Sequence, residues 1–200
     1  MRLIVATSNR GKLREIKRIL RGSGVSIISL ADLDKKFNLK ENGKTFLENA
    51  IKKTSPVSKF YKDDFVVGED SGLEVNYLNG APGVHSKRYS GSKATSITNN
   101  KKLLKALNCI KKRGARFCCA LVLMKNAKVI KTFSGVLSGA IATHSQGSGG
   151  FGYDPIFYLS KYKKTTAQLS STQKNAISHR GKAFFKLKTY FGTVTKYNSP

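Results

Sequence analysis

Two long apolar-rich runs, Ala115 to Met124 and Val129 to Leu137, flank the short polar link Lys125-Asn126-Ala127-Lys128. Runs of this kind across so short a link read as an antiparallel hairpin, so the chain must build a sheet. Other segments rule out an all-β fold. Leu3-Ile4-Val5-Ala6 is a short apolar run, Thr7-Ser8-Asn9-Arg10-Gly11-Lys12 is a polar loop, and Leu13, Ile16, Ile19 and Leu20 fall at helical spacing. That order is strand, loop, helix. Gly22 and Gly24 end the helix, and Val25 to Leu30 reads as a second strand.

Further along, Thr45 and Glu48 form a capping box that opens a helix, which Pro56 is expected to kink or end near Ser55. Phe65 to Glu69 and Leu73 to Val75 read as strand segments around a Ser-Gly turn. Asn79 to Gly91 is an ordered loop, Asn99 to Leu107 is helical, and Gly147 to Tyr153 is glycine-rich. Asn175 to Phe191 is helical in part, with Gly181 its weak point. Together these segments argue an α/β fold with a mixed sheet.

With 40% apolar and 24% charged residues, the chain can bury a substantial core. No window approaches the roughly 20 apolar residues that span a bilayer. The N-terminal apolar run is too short for a signal peptide, and a cytoplasmic location is expected. Cys109, Cys118 and Cys119 have no metal-binding spacing and read as reduced thiols. The 37 Lys+Arg against 11 Asp+Glu give a net charge of +26, which attracts polyanions. The lysine runs are spread along the chain, so this charge reads as a diffuse, solvated surface.

In so acid-poor a chain, Gly68-Glu69-Asp70-Ser71-Gly72 stands out. Two adjacent carboxylates at a strand end suit a hard cation, since Mg²⁺ prefers one or two carboxylates plus water and phosphate oxygens. They equally suit a strand end with two solvated charges. The Thr7–Lys12 loop enters a helix N-terminus, where backbone amides favour anions. It is either such an anion site or an ordinary turn, for it lacks P-loop spacing. Glu41 is either solvated or a second metal-directed carboxylate. Phe151-Gly152-Tyr153-Asp154-Pro155 could stack on and read a base. It could also be a turn with its aromatics in the core. Ser178-His179-Arg180-Gly181, with Lys174 upstream, groups donors suited to a phosphate or a base carbonyl. Ser71 has no nearby His, which argues against covalent catalysis.

These segments together resemble the Ham1-like family of non-canonical purine nucleoside triphosphate pyrophosphatases. The carrying motifs are Ala6-Thr7-Ser8-Asn9-Arg10-Gly11-Lys12, Thr45-Phe46-Leu47-Glu48-Asn49-Ala50 and Asp70-Ser71-Gly72-Leu73-Glu74-Val75. To these are added Gly149-Gly150-Phe151-Gly152-Tyr153-Asp154-Pro155 and Lys174-Asn175-Ala176-Ile177-Ser178-His179-Arg180-Gly181. The resemblance implies one domain over residues 1–192, with residues 193–200 a frayed tail. It implies an elongated mixed sheet flanked by helices, two lobes with a nucleotide cleft between them, and a homodimer. The implied reaction is Mg²⁺-dependent hydrolysis of ITP, dITP or XTP to monophosphate and pyrophosphate, with no membrane and no nucleic acid required.

By this likeness Thr7, Ser8, Asn9, Arg10, Gly11 and Lys12 bind the triphosphate. Asp70 is base and metal ligand, Glu41 a second ligand, and Ser71 touches substrate. Phe151, Gly152, Tyr153, Asp154, Lys174, His179 and Arg180 grip the base and its surroundings. The chain departs from the family pattern where Glu69 replaces an Asp and Gln168 replaces a Glu. Two alternatives stand beside this reading: a basic nucleic-acid-binding protein of the same fold without activity, and a pyrophosphatase of other base preference.

Overall fold

The computed structural model describes residues 1–197. A seven-stranded sheet runs in the order β2-β1-β3-β4-β5-β6-β7. Its strands are β1 (Arg2–Val5), β2 (Ser26–Ser29), β3 (Phe65–Val75), β4 (Gly114–Lys125), β5 (Lys128–Ile141), β6 (Phe157–Leu159) and β7 (Lys164–Thr165). β1 is parallel to both β2 and β3, whereas β6 is antiparallel to β5 and β7, so the sheet is mixed. Among the described residues five α-helices accompany it: α1 (Arg10–Ile19), α2 (Phe46–Phe60), α3 (Ser96–Ala106), α4 (Ser171–Ile177) and α5 (His179–Tyr197).

The chain divides into two compact units. The first holds residues 1–70, 119–135 and 180 onward; the second holds residues 71–118 and 136–179. In the first, the two-residue period of the strands sorts side chains onto two buried faces. Leu3, Val5, Val67, Leu121 and Leu123 pack with Ile16 and Ile19 of α1 and with Ala183, Phe184, Leu187 and Phe191 of α5. Ile4, Ala6 and Val66 pack with Val57 of α2, and Val122 and Met124 pack with Ala50 of α2. Burial on both faces explains why these strands read as continuous apolar runs rather than alternating ones. The second unit has its own core, in which Leu73, Val75, Leu103, Phe117, Tyr153 and Phe157 cluster.

The hairpin is tighter than its sequence suggests, because only Asn126 and Ala127 separate β4 from β5. Both have positive φ, 49° and 58°, as a two-residue turn matched to strand twist requires. Three other expectations are corrected. No turn interrupts the acidic segment: β3 runs unbroken through Ser71 and Gly72. Pro56 does not end α2, which continues to Phe60. The residues after it are anchored, with Val57 fully buried and Ser58 Oγ accepting the Ala127 N–H at 3.0 Å. That packing offsets the backbone hydrogen bond a mid-helix proline forgoes. The C-terminal helical region breaks at Ser178, in extended conformation, and not at Gly181, which lies inside α5. Residues 193–197 of the expected tail are helical; residues 198–200 of it lie outside the described residues.

Gly68 shows how closely α2 approaches β3. A Cβ at this position would overlap the Thr54 hydroxyl, which itself donates to the Ala50 carbonyl at 2.6 Å. Gly68→Ala is expected to destabilise by about 1–3 kcal/mol, the usual cost of overpacking, measured by urea unfolding. An unchanged midpoint would show that α2 can retreat freely.

Candidate active site

The parity of β3 decides where the two adjacent acids go. Val67 faces α1 and α5, so Glu69 follows it to that side. Val66 faces α2, so Asp70 follows Val66 and Gly68 to the opposite side. Neighbours in sequence therefore occupy separate environments within the first unit.

Glu69 is buried, 1% exposed, inside an ion network. Its Oε1 lies 3.1 Å from Lys12 Nζ and 3.2 Å from Arg180 Nε. Arg180 in turn donates through Nη1 to Glu15 Oε2 at 2.6 Å, and the Cys119 thiol donates to Glu69 Oε2 at 3.4 Å. Burial alone would raise the Glu69 pKa, but Arg180, then Lys12 and Lys53, hold the carboxyl well below the usual range. Burial likewise opposes the Arg180 charge, and Glu69 and Glu15 outweigh it. Burial and the Glu69 charge push the Cys119 thiol far up, so it stays protonated and can donate. Arg180, expected to grip the base, is thus engaged by two buried carboxylates. Glu15 was not foreseen, although an acid between Leu13 and Ile16 on the apolar side of a helix is a legible sign of a buried pair.

On the other face, Asp70 is 7% exposed and accepts from Asn49 Nδ2 at 2.9 Å. Asn49 is oriented by its own carbonyl, which accepts the Gly43 N–H at 2.7 Å. Lys53 Nζ lies 2.7 Å from Glu41 Oε1 and 3.7 Å from Asp70 Oδ1. Burial disfavours the Lys53 ammonium, yet Asp70, Glu69 and Glu41 keep its pKa raised. Two carboxylates remote in sequence thus converge on one positive charge. That donor set suits a hard divalent cation completed by water and phosphate oxygens. Among the described residues no group of three or more His, Cys, Asp or Glu could hold a metal ion. Asn49 and Lys53 also went unforeseen, though their separation of four residues places them on one face of α2.

The Thr7–Lys12 loop is a helix N-terminus as expected. Asn9 caps α1, its side chain accepting the Lys12 N–H at 3.0 Å, while Thr7 Oγ1 accepts the Asn9 N–H at 3.2 Å. Ser8 and Arg10 are exposed and Thr7 is buried. At α2, Thr45 Oγ1 accepts the Glu48 N–H at 3.1 Å, but Glu48 accepts from Lys44 N rather than from the cap residue itself.

In the second unit, Asp154 gathers three donors. Its Oδ2 accepts from Phe151 N at 2.7 Å and Lys174 Nζ at 2.6 Å, and its Oδ1 accepts from Thr166 Oγ1 at 2.8 Å. Lys174 Nζ also sits 4.9 Å from the Phe151 ring centroid. Gly150 has φ +74°, and a Cβ there would overlap the Asp154 carboxylate, so this tight loop demands glycine. Tyr153 is a core residue whose hydroxyl donates to the Ser86 carbonyl at 2.9 Å. Gly152 supplies a carbonyl to Asn100 Nδ2 at 3.1 Å. Ser71 is half-buried on β3. His179 is buried and stacks on Phe117, centroids 4.8 Å apart at 15° between planes. Gln168, where the family pattern has Glu, accepts the Thr165 N–H through Oε1 at 2.8 Å and completes a capping box.

The first unit of this mixed α/β fold thus brings Glu41 and Asp70 onto Lys53 and opens α1 with a lysine-bearing N-terminus, groups of a kind suited to phosphates. The chain belongs to the Ham1 family, whose model matches residues 3–190. It is 43% identical to the dITP/XTP pyrophosphatase of Clostridium perfringens, over 98% of this chain and 99% of that one. It is 45% identical to the Geobacter sulfurreducens dITP/XTP pyrophosphatase, with 96% of each covered. The Staphylococcus aureus Ham1 protein superposes with a TM-score of 0.87 at 39% identity, covering 97% of this chain and all of that chain. No helix of the described residues is long and apolar enough to cross a membrane.

Proposed function

We propose that this protein hydrolyses dITP, XTP and ITP to the nucleoside monophosphate and pyrophosphate. The observation that carries the reading is the convergence of Glu41 and Asp70 around the Lys53 ammonium, in a chain whose relatives are named dITP/XTP pyrophosphatases. Water attacks the α-phosphorus, a new P–O bond forms, and the bond to the β-phosphate oxygen breaks with its electron pair leaving on pyrophosphate. Asp70, oriented by Asn49, takes the proton from that water. Glu41 and Asp70 would hold Mg²⁺, which when bound neutralises phosphate charge and lowers the pKa of coordinated water. Lys53 and Lys12 add fixed positive charge for the leaving group, which is most of what phosphoryl transfer asks of a protein.

The Thr7–Lys12 loop is assigned to the triphosphate and Ser71 to the substrate. Phe151 and Gly152 are assigned to the base, with Tyr153 supporting their loop from the core and Asp154 holding Lys174 in place. His179 would select a 6-oxo purine by donating to O6. Arg180 supports this end as a buried cation next in sequence to His179. A homodimer and a cytoplasmic location complete the proposal.

The test is pyrophosphate release from dITP, ITP, XTP, ATP, GTP, CTP and UTP with Mg²⁺. Release from the three non-canonical purines at kcat/KM at least about 100-fold above the others is expected, as a site that pairs or strands buried donors can discriminate at that level. A pyrimidine optimum would shift the reading to another base preference.

A further inference from the structure

Most of the net charge of +26 has no part in the reaction above. Lysine, scattered along the chain, supplies most of it, but nine of the 37 cations are arginines, and four of these are grouped. Arg10, Arg14, Arg18 and Arg21 fall on α1 and the turn after it, together with Lys17. At 3.6 residues per turn the five project within an arc of about 100°. All five are exposed. With Leu13 they line a shallow surface cavity of about 340 Å³.

Arginines elsewhere have partners that neutralise or satisfy them. Arg2 pairs with Asp64, Arg116 with Glu74, Arg180 with Glu69 and Glu15, and Arg113 donates to the carbonyls of Leu107, Ile141 and Ala142. Among the described residues, Arg10, Arg14, Arg18 and Arg21 have no ion-pair partner. The acid of their own helix, Glu15, is turned inward to Arg180, and Asp32, whose charge reaches Lys17, is tied to Ser29. Four guanidinium groups side by side repel one another unless an external anion relieves them.

We propose that the exposed face of α1 binds the phosphate backbone of a nucleic-acid duplex. Guanidinium forks match phosphate oxygens in pairs, which lysine cannot do. From Arg10 to Arg18 the cations cover roughly 12 Å of helix, and a duplex offers a charge about every 1.7 Å of its axis. The face carries no aromatic side chain, so it has nothing on which single-stranded bases would stack. An anionic membrane fits less well. A helix lying in a bilayer interface needs a free apolar face, and that of α1 is buried through Ile16, Ile19 and Leu20.

The test is fluorescence anisotropy of a labelled duplex of about 20 base pairs across roughly 50–200 mM salt. Wild type is compared with Arg14→Gln/Arg18→Gln/Arg21→Gln and with Lys59→Gln/Lys111→Gln/Lys161→Gln, which removes the same charge from exposed positions elsewhere. The arginine triple is expected to reduce the slope of log K against log salt by about 2–3, at about 0.9 per phosphate contact, and to weaken binding at least about tenfold. The lysine triple is expected to change either by less than a third as much. Arg10 is left intact because it lies in the triphosphate loop, and pyrophosphate release by the arginine triple should match wild type. Equal weakening by both triples, or absent salt-dependent binding, overturns the proposal. So does tighter binding to a single strand of the same length, or to vesicles rich in phosphatidylserine.

Discussion

Asp70→Asn is expected to lower kcat/KM for dITP by about 10³-fold or more, while leaving the protein folded. Loss of a general base alone costs on the order of 10²–10⁴, and the amide also withdraws one of two carboxylates from the cation position shared with Glu41. The change is nearly isosteric. The introduced amide can still present its oxygen to Asn49 Nδ2, which lies 2.9 Å from the Asp70 carboxylate, so the packing against α2 should survive. Circular dichroism and an unfolding midpoint close to wild type would confirm that. Glu41→Gln, on the less buried partner, should mainly raise the Mg²⁺ concentration needed for half-maximal rate. Activity of Asp70→Asn within about threefold of wild type would remove Asp70 from the chemistry, and the proposed mechanism with it.

Arg180→Met is expected to destabilise the protein by about 3–5 kcal/mol, as removing one member of a buried ionic network generally does. It leaves Glu69 with Lys12 and removes the 2.6 Å ion pair between Arg180 and Glu15. Adding Glu15→Leu should recover part of the loss, because a buried carboxylate that Arg180 no longer neutralises is removed with it. The sign with pH follows from Glu69. Its folded pKa lies below the unfolded value of about 4.5. It therefore stabilises above that pH, and the contribution is lost as pH falls through the folded value. Arg180→Met removes the largest charge responsible, so the stability gap between wild type and variant should narrow below about pH 4.5. A gap that widened in acid would show that the network does not stabilise the ionised Glu69. Any change of base preference in an Arg180 variant has to be read on protein shown to be folded.

Much of the fold was legible in local pattern. The first strand, loop and helix, the hairpin, and the helix opening at Thr45 all follow from periodicity, capping residues and short links, which act within one element. Expectations failed where tertiary contacts outvoted local preference. Pro56 stays helical because the residues beyond it are packed. The Ser71-Gly72 pair stays in strand because β3 is an interior strand between β1 and β4. The helix break falls at Ser178 and not at Gly181, in a helix that buries Ala183, Phe184 and Leu187.

The site divides the same way. From residues alone, the motifs identified the family and pointed to Asp70, the Thr7–Lys12 loop, the Phe151–Asp154 run and the Lys174–Arg180 run as candidates, since each lies in a contiguous motif, while Glu41 stood alone. Only the folded chain separated Glu69 from Asp70, sending one acid to Arg180 and Lys12 and the other to Asn49 and Lys53. The two-residue period of a strand puts neighbours on opposite faces, and what covers each face is set by helices distant in sequence. Likewise the composition fixed a charge of +26, while the winding of α1 decided that its arginines share one exposed stripe.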